Sequence, residues 1–373
     1  MDCVRKSRIK EQLIHGVVKD IRVSEPVVHV DNEGRGRSGY LSHAMAQLKS
    51  GKVIAFNSNC SAVRHDGHSN YGWIEYRYSE DGGKTFGESL EFPYAKEAYL
   101  NGNMTVSVEK AVCCEDNALI VFCTINTGYF TWHYGEPYDV PVFFISKDEG
   151  ATWSGPYNCY HSKGRVYDAA YRDGVLYWLQ FCNMNFRGST PEHQYRLYKS
   201  DDNGHDIYER SVVGFADTTG LAYGCLTFLP DGALAAYAQD MHDPKYLHYA
   251  ISCDNGKTWS KTGKTPVAKG AVNPQIRMLD GQYILHARDS EHEMRFVVYT
   301  SADGLNWDEG VYLNGEGAGG SFDSNSIVVK DLDDNGRNRL LVQFAESYEP
   351  TPERNMCPRT RVNVMHLMME TVD

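Results

Sequence analysis

Carboxylates, histidines, arginines and aromatic residues gather in short polar stretches between runs of apolar residues. One stretch reads Arg64-His65-Asp66-Gly67-His68, and a longer one contains Trp132 and His133. A carboxylic acid can donate a proton to a leaving oxygen, and a second carboxylate can act as nucleophile or base. Aromatic faces can stack on sugar rings. Together, these residue types favour the binding and cleavage of carbohydrate.

A two-carboxylate cleavage needs a proton donor and a second carboxylate that attacks the sugar or activates water. The sequence predicts Asp66 as the general acid. Asp168, Asp323 and Glu346 compete for the second role. Asp168 ranks first because it follows Tyr167 and precedes two alanines. For any one of the three, a structural carboxylate that accepts backbone N–H groups is an equally good interpretation.

A wider set of side chains could hold a sugar through its hydroxyl groups or its ring face. The candidates are His43, Arg64, Trp132, His133, His242, Gln275, Arg288, Arg295, Asp323 and Tyr348. Part of this set permits another reaction, in which His and Tyr transfer protons and Arg neutralises the carboxylate of a uronic acid. The residues for such a lyase are His43, His133, His242, Tyr223, Arg64 and Arg288. The sequence predicts no cofactor and no metal site.

The pattern Ser-x-Asp-x-Gly-x-Thr-aromatic, complete or partly eroded, recurs five times between these stretches. Its copies begin at Ser79, Ser146, Ser200, Ser252 and Ser301, at intervals of 67, 54, 52 and 49 residues. An Asp two residues after a Ser and followed by Gly suits a turn in which the carboxylate accepts backbone N–H groups and Gly takes a positive φ. We therefore interpret the pattern as a structural turn whose final aromatic residue is buried between neighbouring sheets.

A period of about 50 residues with several short strands per unit is typical of β-propeller blades. The sequence predicts an all-β fold, a six-bladed β-propeller of four-stranded antiparallel blades that forms one domain over residues 1–373. Second strands are predicted at 52–56, 119–123, 175–181, 233–238, 283–287 and 339–344, and third strands at 74–78, 142–145, 195–198, 247–251, 296–300 and 362–367. Residues 16–30 should supply a strand that closes the ring with the last blade. Residues 1–15 could form a short helix or an arm.

Composition excludes several classes of partner. The net charge of −12 and the lack of a basic cluster argue against nucleic acid. The sequence contains no run of 18 apolar residues, which is the length that would predict a membrane span. Ten cysteines without CxxC or zinc-type spacing favour a reduced chain, and the cytoplasm is the expected location. The sequence does not indicate an oligomeric state.

The five repeated turns match the Asp-box, also called the BNR repeat, and the chain resembles the sialidase superfamily of β-propellers. The resemblance implies a site on the face opposite the boxes. In sialidases the acid/base Asp lies between the second and third strands of the first blade, where this chain has Asp66. An arginine that binds the substrate carboxylate follows the second strand of a late blade, and the matching candidates are Arg288 and Arg295.

The sequence departs from the sialidase pattern at three hallmark positions. Sialidases bind the substrate carboxylate with a triad of arginines. The first of these is absent here, because the corresponding residues are Leu41-Ser42-His43, although Arg35 and Arg37 lie upstream. Residues 321–326 lack the nucleophilic Tyr, and Ala222-Tyr223-Gly224-Cys225 lacks the Glu that activates it. The resemblance then implies an exo-acting glycoside hydrolase for an oligosaccharide other than a sialoside. The alternatives are a sialidase with relocated residues, a uronic-acid-specific polysaccharide lyase and a non-catalytic carbohydrate-binding propeller.

Overall fold

The computed structural model describes residues 7–62, 71–102, 104–127, 138–183, 193–290, 295–313, 321–330, 337–348 and 361–372, with the side chains of 321–323 excepted. Three short strands come first: β1 (Gln12–Ile14), β2 (Asp20–Val23) and β3 (Val27–Val30). The sequence allowed a helix or an arm before residue 15, whereas β1 is extended and pairs with β2.

The rest of the described chain forms six consecutive antiparallel sheets. Blade one contains β4 (Arg37–Ser38), β5 (Ala44–Gln47), β6 (Val53–Ser61), β7 (Gly72–Ser79) and β8 (Leu90–Glu91), and α1 (Pro93–Asn101) follows it. Blade two contains β9 (Met104–Cys113), β10 (Leu119–Thr127), β11 (Val142–Ser146) and β12 (Ser154–Asn158). Blade three contains β13 (Arg165–Arg172), β14 (Val175–Cys182), β15 (Gln194–Ser200) and β16 (Tyr208–Val212).

The second half repeats the same order. Blade four contains β17 (Leu221–Phe228), β18 (Leu234–Asp240), β19 (Tyr246–Ser252) and β20 (Lys261–Pro266). Blade five contains β21 (Val272–Leu279), β22 (Gln282–Arg288), β23 (Phe296–Ser301) and β24 (Val311–Tyr312). Blade six contains β25 (Ser321–Lys330), β26 (Asn338–Ser347) and β27 (Val362–Val372). Each predicted second and third strand overlaps an observed strand.

The innermost strands of the blades form a closed ring. In order around the ring, these strands are β5, β9, β13, β17, β21 and β25; each contacts the next, and β25 contacts β5. Both β2 and β3 pair antiparallel with β27, so the N-terminal segment completes blade six. The six-bladed β-propeller and its closure by residues 16–30 are therefore confirmed.

Apolar second strands explain why the blades pack as they do. In β10 and β18 nearly every residue is buried, because both faces of the strand lie against neighbouring sheets. The hydrophobic core is accordingly divided into clusters that each span two adjacent blades. One such cluster joins blades one and two, and Ala95 and Ala98 of α1 are buried in it.

The five repeated turns share one hydrogen-bond pattern. In the second copy, the hydroxyl of Ser146 donates to Asp148 at 2.7 Å and accepts the N–H of Gly150 at 2.7 Å. Asp148 also accepts the N–H of Thr152 at 2.8 Å and its hydroxyl at 2.5 Å. Trp153, which ends this copy, packs on aromatic residues of blade one, with ring centroids 5.1 to 6.2 Å apart. The turn therefore fixes one blade against the preceding blade.

The turn glycine is required both by its backbone angle and by its surroundings. Gly256, in the fourth copy, has φ of +78°, a region that side chains other than glycine disfavour. A Cβ atom placed there would lie 2.0 Å from the side chain of Leu197 in the preceding blade. Another residue would therefore push the two blades apart.

We expect Asp148→Ala to lower the melting temperature by a few degrees, because three donors lose their acceptor. Hydrogen bonds from the hydroxyl and N–H of Thr152 and from Ser146 lower the pKa of Asp148 from 3.8 to about 2. A depressed carboxylate pKa stabilises the fold above the unfolded value and loses this effect as pH falls towards 2. Thermal melts should thus show the difference from wild type at neutral pH and its loss near pH 2. Exposed Glu88 offers a control, since Glu88→Ala should leave the melting temperature unchanged at both pH values.

Candidate functional site

The six inner strands are interrupted at one level around the propeller axis. In β9 the pairing with β10 shifts at Glu109, because Val108 and Lys110 pair with consecutive residues. The corresponding shifts fall at Tyr167 in β13, Tyr223-Gly224 in β17, Asn273-Pro274 in β21 and residues 322–323 in β25. In blade one the strand itself is broken between β4 and β5. β-Bulges redirect side chains and are enriched beside active sites.

Backbone angles single out the same level. Ser42, Tyr223 and Asn273 have φ of 64°, 52° and 55°, which is uncommon outside glycine. Conformations of this kind cost on the order of 1–3 kcal/mol each and cluster at functional sites. Three of the six blades therefore hold a strained residue at the interruption of the inner strand.

These interruptions enclose a polar cavity on the axis. Residues from five blades line it, among them His43, Glu109, Arg165, Tyr167, Asn273 and Asn325. Its volume is about 20 Å³, and a cavity above about 10–15 Å³ can hold one water molecule. The axis is thus polar at this level and wide enough for a single small group.

An ion pair and Tyr167 form one wall of this cavity, and Tyr223 packs beside Tyr167. Nη2 of Arg165 donates to Oε2 of Glu109 at 2.8 Å, and both side chains are mostly buried. The guanidinium of Arg165 lies 5.6 Å from the ring of Tyr167, which is 5.7 Å from the ring of Tyr223. Burial raises the pKa of Tyr167, so its phenol stays protonated near neutral pH. This wall therefore carries one carboxylate, one guanidinium and one phenol that can donate a hydrogen bond.

Sequence reasoning missed Glu109 and Arg165. The signal that could have found Glu109 is its place in β9, where Glu109-Lys110 is a charged pair within an inner strand. Tyr223 was predicted and does lie beside Tyr167. Its carbonyl accepts the hydroxyl of Tyr195 at 2.8 Å.

Asp168 follows the cavity-lining Tyr167 in β13 and is fully buried. Its two oxygens each lie 3.1 Å from Arg277, one lies 3.4 Å from Nζ of Lys110, and one accepts the N–H of Leu226 at 2.9 Å. Burial opposes the charged carboxylate, but Arg277 and Lys110 outweigh burial and lower its pKa. Because cations and an amide already hold both oxygens, this environment favours a structural role over the catalytic role that the sequence ranked first.

The same network holds Lys110 on the axis. Its ammonium donates to the side chains of Gln275 and Asn325 and is buried. Burial lowers its pKa to about 8, an effect that Asp168 partly offsets. Gln275, a predicted binding residue, lines the cavity and accepts a hydrogen bond from Lys110.

The remaining predicted residues in blades one and six lie near the axis with defined partners. Nε2 of His43 lies 2.8 Å from the carbonyl of Gly39, and His43 lines the cavity. The carboxylate of Glu346 accepts the hydroxyl of Ser7 at 2.8 Å and the N–H of Arg8 at 2.9 Å. Glu346 thus fastens the N-terminal segment to blade six.

Other predicted binding residues lie apart from the axial cavity. His242 lines an outer cleft of blade four together with Asp217 and Asp243. The guanidinium of Arg295 lies 4.6 Å from the ring of Tyr312, and Arg288 is buried within β22. Tyr348 is buried and donates to the carbonyl of Arg37 at 3.0 Å. Asp66, Arg64, Trp132, His133 and the side chain of Asp323 lie outside the described residues.

The two arginines upstream of the missing triad position have partners in blade one. Arg35 makes two hydrogen bonds to Glu75, at 2.8 and 3.0 Å. Arg37 donates to Asn59 and lies 5.3 Å from the ring of Trp73. These contacts hold both guanidinium groups against their own blade.

Two features are absent from the described ranges. No three His, Cys, Asp or Glu side chains there are grouped so that they could hold a metal ion. No helix there is long and apolar enough to cross a membrane.

Comparison with known proteins identifies the fold. No protein-family model and no curated protein sequence matches the chain. A protein of unknown function from Dyadobacter fermentans superposes with a TM-score of 0.70 at 16% identity, over 94% of this chain and 99% of that one. The Hadza microbial sialidase Hz136 superposes with a TM-score of 0.65 at 13% identity, over 92% and 68%. An α-L-arabinanase from Penicillium chrysogenum superposes with a TM-score of 0.56 at 13% identity, over 93% of this chain and 98% of that one. In fold, this chain is a sialidase-like six-bladed β-propeller.

Proposed function

We propose that the chain is a glycoside hydrolase that removes a terminal sugar from an oligosaccharide at the axial site. The observation that carries this proposal is the cavity itself, which five interrupted inner strands line with a carboxylate, a guanidinium, a phenol, an imidazole and amides. Such a set can hydrogen-bond one hydroxyl group of a sugar bound on the axis, or a water molecule beside it, because the cavity is wide enough for a single small group. A site closed around an axis accepts the end of a chain, which favours exo-action.

The neighbours in fold support a carbohydrate substrate. Two of them are described as a sialidase and as an arabinanase complexed with arabinobiose. Their low identity to this chain leaves the sugar open. Sialidases bind the carboxylate of their substrate with three arginines, whereas Arg165, the one arginine among the described residues lining the cavity, is bonded to Glu109. We therefore propose a neutral sugar.

Asp66 is the proposed general acid. In the sequence it lies between β6 and β7, the second and third strands of blade one, where sialidases carry their acid/base Asp. A carboxylic acid there would protonate the glycosidic oxygen as the bond to the anomeric carbon breaks. Tyr167 and His43 would hold sugar hydroxyl groups at the cavity wall.

A second candidate is a polysaccharide lyase, because His43, Tyr167 and Arg165 line the same cavity. In such an enzyme Arg165 would neutralise a uronic acid while the imidazole and the phenol transferred protons. We also propose a cytoplasmic location. The ten cysteines show no CxxC or zinc-type spacing, which accords with a reduced chain.

We expect the purified protein to release reducing sugar from at least one member of a panel of neutral oligosaccharides, sialosides and uronic-acid oligosaccharides. Reducing-end assays and chromatography of the products measure the release. Ultraviolet absorbance of an unsaturated uronate would instead indicate the lyase. Binding without either product would indicate a carbohydrate-binding propeller and would contradict the proposed hydrolase.

A further inference from the structure

We propose that Glu109 is the second carboxylate of the reaction and acts as a general base on a water molecule held in the axial cavity. The inference rests on the hydrolase proposed above and adds to it a residue and a stereochemical outcome. Of the described residues that line the cavity, Glu109 is the one carboxylate.

The two oxygens of Glu109 have different environments. Oε2 accepts the hydrogen bond from Arg165 at 2.8 Å. Within the described part of the chain, no donor is bonded to Oε1. One oxygen is therefore fixed in direction by a guanidinium, and the other remains able to accept a proton. A general base needs both properties, since it must be positioned and must keep a lone pair available.

Asp168 and Glu346, the competing carboxylates, have partners at both of their oxygens. Asp168 has cations or an amide at both oxygens, and Lys110, one of these cations, also donates a hydrogen bond to Asn325. Glu346 has its two oxygens bonded to Ser7 and Arg8. Neither carboxylate is among the described residues that line the axial cavity.

The bulge in β9 explains how Glu109 reaches the axis. Lys110 continues the regular pairing with Phe122 and also lines the cavity. Glu109 is the extra residue at that shift, so its side chain leaves the regular alternation and meets Arg165 from blade three. The contact crosses from one blade to the next, which makes Arg165 a positioning residue for Glu109.

The size of the cavity favours water activation over direct attack by the carboxylate. Its volume of about 20 Å³ is enough for one water molecule, and Glu109 is among the residues that line it. In the proposed step the water oxygen forms a bond to the anomeric carbon and gives one proton to Glu109. The glycosidic C–O bond breaks with its electron pair going to the leaving oxygen, which takes a proton from the general acid of the proposed function. Glu109 then releases its proton to solvent and the general acid takes one up, which restores the base and the acid.

A single displacement of this kind inverts the anomeric configuration. The first test therefore uses the wild-type protein and the panel substrate that it cleaves best. Proton NMR of the earliest product should show the anomer opposite to that of the substrate. Retention of configuration would overturn the role of Glu109 as a base on water, even if hydrolysis is confirmed. No cleavage of any substrate would contradict the proposed function and this inference with it.

The second test is Glu109→Gln, which keeps the shape of the side chain and an acceptor for Arg165. We expect kcat to fall by about 10²–10⁴-fold with KM changed less than about threefold, and the acidic limb of the kcat/KM profile to disappear. Glu115→Gln is the matched control, because this exposed glutamate lies in the turn at the other end of β9. Its activity should equal that of wild type. A Glu109→Gln enzyme with full kcat and an unchanged pH profile would overturn the proposal.

Discussion

Arg277→Met should lower the free energy of unfolding by about 3–5 kcal/mol, because it removes the main partner of a fully buried carboxylate. Asp168 has no exposed surface and faces Arg277 through both of its oxygens. Lys110 remains at 3.4 Å, but one ammonium cannot replace two guanidinium hydrogen bonds. Urea titration followed by tryptophan fluorescence measures the change.

Lys52→Met is the control for that variant. Lys52 forms an ion pair with the exposed Glu80 at 2.9 Å on the outside of blade one. Exposed pairs contribute little to stability, so the unfolding midpoint should stay near that of wild type. The variant Arg277→Met should recover part of its loss when Asp168→Asn is added, since the carboxylate that lost its guanidinium partner is then replaced by a neutral amide. A single variant as stable as wild type would show that Asp168 does not depend on Arg277.

Asp66→Asn should reduce kcat on the cleaved oligosaccharide by about 10²–10⁴-fold, because the amide cannot protonate the leaving oxygen. Circular dichroism and the melting temperature should match those of wild type. The loss should be much smaller on an aryl glycoside, whose leaving group needs little protonation. Steady-state kinetics on both substrates measures the contrast.

The control for the acid is Asp81→Asn, in the repeated turn of the same blade. Asp81 bonds to Ser79 and Thr85 on the opposite face, so this change should affect stability and leave kcat intact. Equal kcat for Asp66→Asn and wild type would refute the assignment of the acid. Equal losses on the two substrates would also argue against it, because a loss unrelated to protonation would not depend on the leaving group.

The fold could be predicted from the sequence because its signals are local and repeated. Each blade brings an apolar second strand and a turn with fixed spacing, so strand order and blade number follow from period alone. The helix α1 lacked such a signal. Its nine residues, about two and a half turns, begin at Pro93 and bury only Ala95 and Ala98, and packing against β7 and β9 stabilises the helix.

The site was less predictable because its contacts join distant parts of the chain. Asp168 looked catalytic from its neighbours in sequence, yet its main partner, Arg277, lies two blades further on. No local sequence pattern predicts the ion pair between Asp168 and Arg277. Glu109 was missed for a related reason. Its approach to the axis depends on a bulge, and strict alternation along β9 predicts another direction for its side chain.

The pairing of β2 and β3 with β27 has a consequence for the order in which the protein can fold. Asp20–Val23 and Val27–Val30 are synthesised before blades one to five, and their partner Val362–Val372 is synthesised after them. The early strands must therefore wait with unsatisfied backbone groups while blades one to five assemble, a situation that invites pairing with other chains. Ring closure is then a late event of high contact order, and slow folding of the whole molecule follows from topology rather than from weak packing.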